Sequence, residues 1–281
     1  MNFRSATSAL FLIALSWTFV SAQSGAGPMS TPAADARTFS NPYSAGEKLE
    51  FEGKYKKFGF AFSIAEMTFS VHERDEDGSY YILSEAHSKG TLAKLFNFSF
   101  YQKIESFVDT DSLRVTRSVK RDEQRDRIRD SEATFDYQRS RVTWVETDPN
   151  DPAKPPKRVA STITEETHDL VTGVFALRGK KFAVGKTLTM KVSDSGLVYD
   201  VPVKIAGLER QKSIFGKVAC WKIEPEIFGD GRVIEQKGSL TIWVTADKRR
   251  IPVRARLNTE LGRVDIKLEK YTAPGETTPI S

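Results

Sequence analysis

Gly238-Ser239-Leu240-Thr241-Ile242-Trp243-Val244-Thr245-Ala246-Asp247-Lys248-Arg249-Arg250-Ile251-Pro252-Val253-Arg254-Ala255-Arg256-Leu257 is the stretch that decides the fold. Leu240, Ile242 and Val244 alternate with Thr241, Trp243 and Thr245, the two-residue period of a strand with one apolar face. Val253, Ala255 and Leu257 alternate with Arg254 and Arg256 in the same way. Between the two runs, Asp247 can hold a turn by accepting nearby amide hydrogens. Pro252, which has no amide hydrogen to donate, fits where the second strand begins. Downstream, Val264, Ile266 and Leu268 alternate with Asp265, Lys267 and Glu269 after a turn at Gly262. Three such runs in succession predict an antiparallel meander with one face wet.

The pattern persists on both sides of this stretch. Asp75-Glu76-Asp77-Gly78 and Asp194-Ser195-Gly196 mark further hairpins. Ala45-Gly46-Glu47-Lys48-Leu49-Glu50-Phe51 and Val184-Gly185-Lys186-Thr187-Leu188-Thr189-Met190 echo each other as a turn glycine followed by a strand. One segment has helical period instead. Leu170, Val171, Val174, Phe175 and Leu177 form an apolar face, with Asp169 able to cap the start and Gly179 able to end the helix in a left-handed conformation. So short a helix is not stable alone, so it must lie across a sheet or plug a barrel mouth. The expected fold is all-β and mainly antiparallel, a curved sheet or half-open β-barrel with one short helix.

The ends are composed differently. In residues 1–22, Arg4 is the only charge, an apolar run follows, and small residues lead to Ala22. This reads as a secretory signal peptide cut after Ala22, with an N-terminal anchor as the alternative. Position 23 is Gln, where a lipoprotein would need Cys. The mature protein is expected to be exported, periplasmic or extracellular, and soluble, with no integral membrane span. Residues 23–42 read as a disordered linker and residues 272–281 as a flexible tail. Between them, residues 43–271 read as one β domain carrying a Pro-rich loop at 147–158.

Chemistry is scarce. The chain of 281 residues has 3 His and 1 Cys, and none falls in a metal-binding or nucleophile spacing, so neither cofactor nor metal is expected. Cys220 reads as a buried small hydrophobe. Glu165-Glu166-Thr167-His168-Asp169 packs ligand-type residues together and leaves a hydrolase or metal site near His168 as a weaker alternative to a charged helix entrance. Lys120–Asp130, with Arg125, Arg127 and Arg129 two apart, reads as a solvated hairpin tip neutralised by its acids. A net charge of +5 points at most toward anionic envelope components, and nucleic acid is not an expected partner. Phe60 and Phe62, with Phe96 and Phe98, stand at alternate positions of two strands. They suggest either a packed core or an apolar ligand cavity, to which Trp243 is added.

The run 238–253, preceded by Gly46, Asp169 and Gly185 and followed by Gly262, resembles the signature of the bacterial exported family called domain of unknown function 3108. That family has no established activity, so the resemblance implies no catalytic residue. Gly46, Asp169, Gly185, Trp243, Asp247, Arg250, Pro252 and Gly262 carry the signature and read as structural. The Trp243–Asp247–Pro252 hairpin also looks like that of Lol-type lipoprotein carriers, which hold acyl chains in an unclosed β-barrel covered by helices. This chain has less helix. The resulting expectation is a non-enzymatic module binding an apolar or amphiphilic envelope component such as a lipid or lipoprotein. The alternative is a structural protein of envelope assembly with a fully packed core.

Overall fold

A computed structural model describes residues 41–57, 60–74, 79–90, 99–260 and 262–275. Phe96, Phe98, the turn at 75–78, residues 1–22 and most of the linker lie outside the described residues.

Fifteen strands form a single sheet. In chain order they are β1 (Lys48–Lys57), β2 (Phe60–Arg74), β3 (Ser79–Ser88), β4 (Phe100–Asp109), β5 (Val115–Gln124), β6 (Arg127–Asp136), β7 (Arg141–Thr147) and β8 (Lys157–Thr162). After β9 (Thr167–Asp169) and helix α1 (Leu170–Arg178) come β10 (Thr187–Asp194), β11 (Leu197–Ser213), β12 (Gly216–Pro225), β13 (Gly238–Thr245), β14 (Pro252–Thr259) and β15 (Gly262–Thr272). The order across the sheet is 8-7-6-5-4-3-2-1-15-14-13-12-11-10-9, antiparallel throughout except for β9 alongside β10. Residues 148–156 of the Pro-rich stretch form the β7–β8 connection, and its last two residues, 157 and 158, already belong to β8.

That order forces curvature. The two edge strands, β8 and β9, are consecutive in sequence and joined by residues 163–166. Fourteen flat intervals of about 4.8 Å would separate those edges by about 67 Å. The connecting chain reaches at most about 18 Å. The sheet therefore curls until its edges meet, without closing a hydrogen-bond ladder between them. The seam is filled by the β10–β11 turn. Ser195 and Gly196 both have positive φ, 50° and 80°, as a tight two-residue hairpin turn requires. A Cβ on Gly196 would lie 2.8 Å from Val159 and 2.9 Å from Trp144, so the turn abuts β7 and β8, and Ser161 Oγ donates to the Gly196 carbonyl at 2.7 Å.

The sequence echo has a structural counterpart. Gly46 and Gly185 have φ of 85° and 82°. Gly46 N–H donates to the Val71 carbonyl and Gly185 N–H to that of Ile205, both at 2.8 Å, so each glycine opens an equivalent hairpin, β1–β2 or β10–β11.

The meander β13–β14–β15 stands as the alternation predicts. Its second face is not wet throughout, however. Asp265 and Trp243 are buried, although Lys267 and Glu269 are exposed. The cause is β11, whose register shifts between Ile205 and Gly207. Beyond that bulge the β11–β12 hairpin lies over the outer face of the meander, with Trp243 Nε1 donating to Glu209 at 3.0 Å and Arg254 to Gln211 at 3.2 Å.

Helix α1 lies inside the curl. Asp169 accepts from Thr172 N at 2.7 Å, and Thr172 Oγ1 accepts from Asp169 N at 3.0 Å, a reciprocal cap. Gly179 ends the helix with φ −81°, right-handed rather than in the expected left-handed turn. Val171, Thr172, Gly173 and Phe175 are all buried, so the helix is packed around more of its circumference than one apolar face.

Candidate functional site: an amphiphilic cavity beside helix α1

The curled sheet and α1 line a half-open cavity of about 260 Å³. Its apolar wall comes from both halves of the chain. Leu49 and Phe51 of β1, with Met67 and Phe69 of β2, face Leu240 and Ile242 of β13 and Ala255 and Leu257 of β14. Leu170, Val174 and Phe175 of α1 form one side, and Ile227, Val233 and Ile234 of the β12–β13 connection contribute another. The same two-residue period that builds the meander aims Leu240, Ile242 and Leu257 inward.

The opposite wall, on β3, β4, β5 and β10, is also mostly apolar, with Ala86 and Ile104, but it carries a few polar groups. Ser84, Gln102, Lys120 and Asp194 line it, and beside it lies a smaller space of about 40 Å³ lined in part by Ser118, Ser131, Ser193 and Asp169. Gln102 is 3% exposed and its Nε2 has no hydrogen-bond partner.

Both ends of α1 are tied to the wall. At the N-terminus, Ser106 Oγ donates to Asp169 Oδ2 at 2.5 Å. At the C-terminus, Arg178 grips Glu47 through two hydrogen bonds of 2.6 and 2.9 Å, and Tyr271 OH donates to the same carboxylate at 3.2 Å. The Glu47 side chain is 1% exposed. Arg250 donates to the carbonyls of Arg178 and Lys180 while its guanidinium lies 4.3 Å from the Phe182 ring centroid. Burial lowers the Arg250 pKa.

Among the residues singled out by sequence, Phe60 and Phe62 stack on each other at 6.2 Å but are 67% and 39% exposed and do not line the cavity. Trp243 is on the outer face, with the guanidinium carbons of Arg254 and Arg256 at 5.1 and 5.4 Å from its ring, away from Leu240 and Ile242. Alternation places residues on a common face but does not say whether another element covers that face. Asp247 accepts from Thr245, Arg249 and Arg250 in the β13–β14 turn, Pro252 opens β14, and Gly262, with φ 150°, has the Tyr55 ring against its Cα. The sequence reading overlooked Gln102 and placed Lys120 on a solvated tip. The apolar lining was signalled by the inward faces of β13, β14 and β15.

The cluster at 165–169 does not converge. Glu165 pairs with Arg114 in solvent at 2.9 Å, Asp169 caps the helix, and His168 Nδ1 has no partner. Burial pushes the His168 imidazole down to about 4. No group of three potential metal ligands occurs among the described residues. Cys220 is buried, which raises its thiol to about 11. Arg127 pairs with Asp122 and Arg121 with Asp130 on the β5–β6 hairpin, and Arg129 pairs with Asp148.

The family described as Protein of unknown function (DUF3108) matches residues 50–269, most of the chain. This protein belongs to the DUF3108 family. No curated protein matches the DUF3108 chain. Its fold is similar to a β-barrel-like protein of domain of unknown function DUF1849 from Brucella abortus, with a TM-score of 0.57 and 11% identity over 82% of this chain and 98% of that one. A protein inferred to be exported, with a YmcC-like fold, from Bacteroides fragilis aligns at a TM-score of 0.35 and 10% identity, covering 84% and 99% of the two chains. The DUF1849 likeness bears on fold alone; the weaker alignment bears on nothing further. No helix among the described residues of this DUF3108 protein is long and apolar enough to cross a membrane.

Proposed function

We propose that this DUF3108 protein is a non-enzymatic, exported module that holds an apolar or amphiphilic envelope component inside its curled sheet. The observation that carries the reading is the cavity of about 260 Å³, apolar on the sides formed by β1, β2, β13, β14 and α1. A fully packed core would close such a space, because each void forfeits dispersion contacts. Concave, mainly apolar sites with a few polar groups are the usual form of small-molecule sites. Ser106 Oγ does donate to the Asp169 carboxylate, but that carboxylate also caps α1 through Thr172, which ties the pair to a structural role, and His168 Nδ1 has no partner.

Native mass spectrometry of the purified mature protein tests this. We expect a mass excess from one co-purifying amphiphile, and we expect Ala255→Trp, which projects an indole into the cavity, to remove it while leaving the circular dichroism unchanged. In titrations with single-chain amphiphiles, every two methylenes that enter should tighten binding by about 1.6 kcal/mol, roughly fifteenfold. Bare wild-type protein, with no chain-length dependence, would favour the alternative of an interaction protein of envelope assembly.

A further inference from the structure

The few polar groups on the β3–β5 side of the cavity bear on the kind of head that an occupant would carry. Lys120 of β5 and Gln102 of β4 project from one face of adjacent strands, since Lys120 is opposite Ile104 and Gln102 opposite Asp122 in the register. Both line the cavity. The acids on this side are already engaged. Asp169 accepts from Ser106 and Thr172, Asp122 from Arg127 and Gln124, and Asp194 from Ser195 Oγ at 3.3 Å. The donors are not. Among the described residues, the Lys120 amine makes no hydrogen bond or ion pair, although its charge is felt at Asp122, and the buried Gln102 Nε2 has no partner. A buried amide without a partner is costly, and native structures rarely retain one without a function.

Accordingly, and resting on the cavity reading above, we propose that the cavity takes a single-chain amphiphile with an anionic, carboxylate-type head, whose oxygens accept from Lys120 Nζ and Gln102 Nε2 while the chain runs along Leu240, Ile242 and Leu257. Charge-assisted hydrogen bonds of this kind supply orientation as well as affinity.

Calorimetric titration of the mature protein at pH 8 with decanoate, decanol and decylamine tests the inference. Decanoate should bind tightest. Lys120→Met should weaken decanoate about tenfold and leave decanol within about twofold, with a smaller loss for Gln102→Leu. Equal affinity for decanoate and decanol, tighter binding of decylamine, or an equal effect of Lys120→Met on all three overturns the head assignment and leaves the cavity reading standing. Failure of all three to bind the folded protein overturns both. Because the wild-type comparison uses no variant, a misfolded variant does not obscure the result.

Discussion

Removing the Glu47 carboxylate should loosen α1 from the wall and cost the protein a large share of its stability. Glu47 is 1% exposed at the side chain and Arg178 10%, and the two are joined by paired hydrogen bonds of 2.6 and 2.9 Å. Deleting one partner of such a pair leaves a guanidinium with little water to solvate it, a loss of about 3–5 kcal/mol. For a domain of this size that corresponds to a fall in melting temperature of roughly 6–20 °C. Urea unfolding of wild type, Glu47→Ala, Arg178→Ala and the double variant reads the term directly. The double variant should be less destabilised than the sum of the single ones, because it leaves no charge stranded. Single variants within about 1 kcal/mol of wild type, or additive effects within about 0.5 kcal/mol, would refute the reasoning.

Two pH-dependent outcomes follow from other buried groups. Burial raises the Asp265 pKa, but hydrogen bonds from Lys56, Arg254 and Arg256 outweigh it and hold the carboxyl well below the usual range. Its contribution is present above the unfolded carboxylate pKa of about 4 and is lost as pH falls further. Asp265→Asn should thus be markedly less stable than wild type at pH 7 in chemical denaturation, and the gap should narrow below pH 4; a constant gap would contradict the assignment. His168 has the opposite chemistry. Its folded pKa of about 4 lies below its unfolded value near 6.5, so the unfolded chain takes up the proton first and stability falls from pH 6.5 to 4. The loss attributable to this group is at most about 3 kcal/mol. His168→Leu should remove that slope in melts across the window, and an unchanged slope would count against it.

The architecture was largely legible because period-2 alternation and turn chemistry are local. The inward faces of β13 and β14, the Asp169 cap and the Asp194-Ser195-Gly196 turn all follow from neighbours in sequence. What escaped depends on distant packing. Asp265 and Trp243 belong to a face that alternation marks as wet, and only the bend in β11 after Ile205 covers it. Glu47 sits in a turn where an acid normally faces water, and its partner is 131 residues away. Lys120 opens a run of charges that reads as a solvated tip, yet it occupies an inward position opposite Ile104. Phe60 and Phe62 show the reverse error, since aromatic alternation near a strand end does not guarantee a covering layer.

The seam between β8 and β9 has a mechanical consequence. In a closed barrel, strand number and shear fix the radius, so a wider interior requires a broken ladder. Here the circumference is interrupted where the Ser195–Gly196 turn rests on Trp144 and Val159. That joint is held by the Ser161 Oγ bond to the Gly196 carbonyl and by packing, not by a ladder of strand-to-strand hydrogen bonds. The girth of the sheet is therefore set by that one joint and by the short β8–β9 connection, where a closed barrel would have it fixed by strand number and shear.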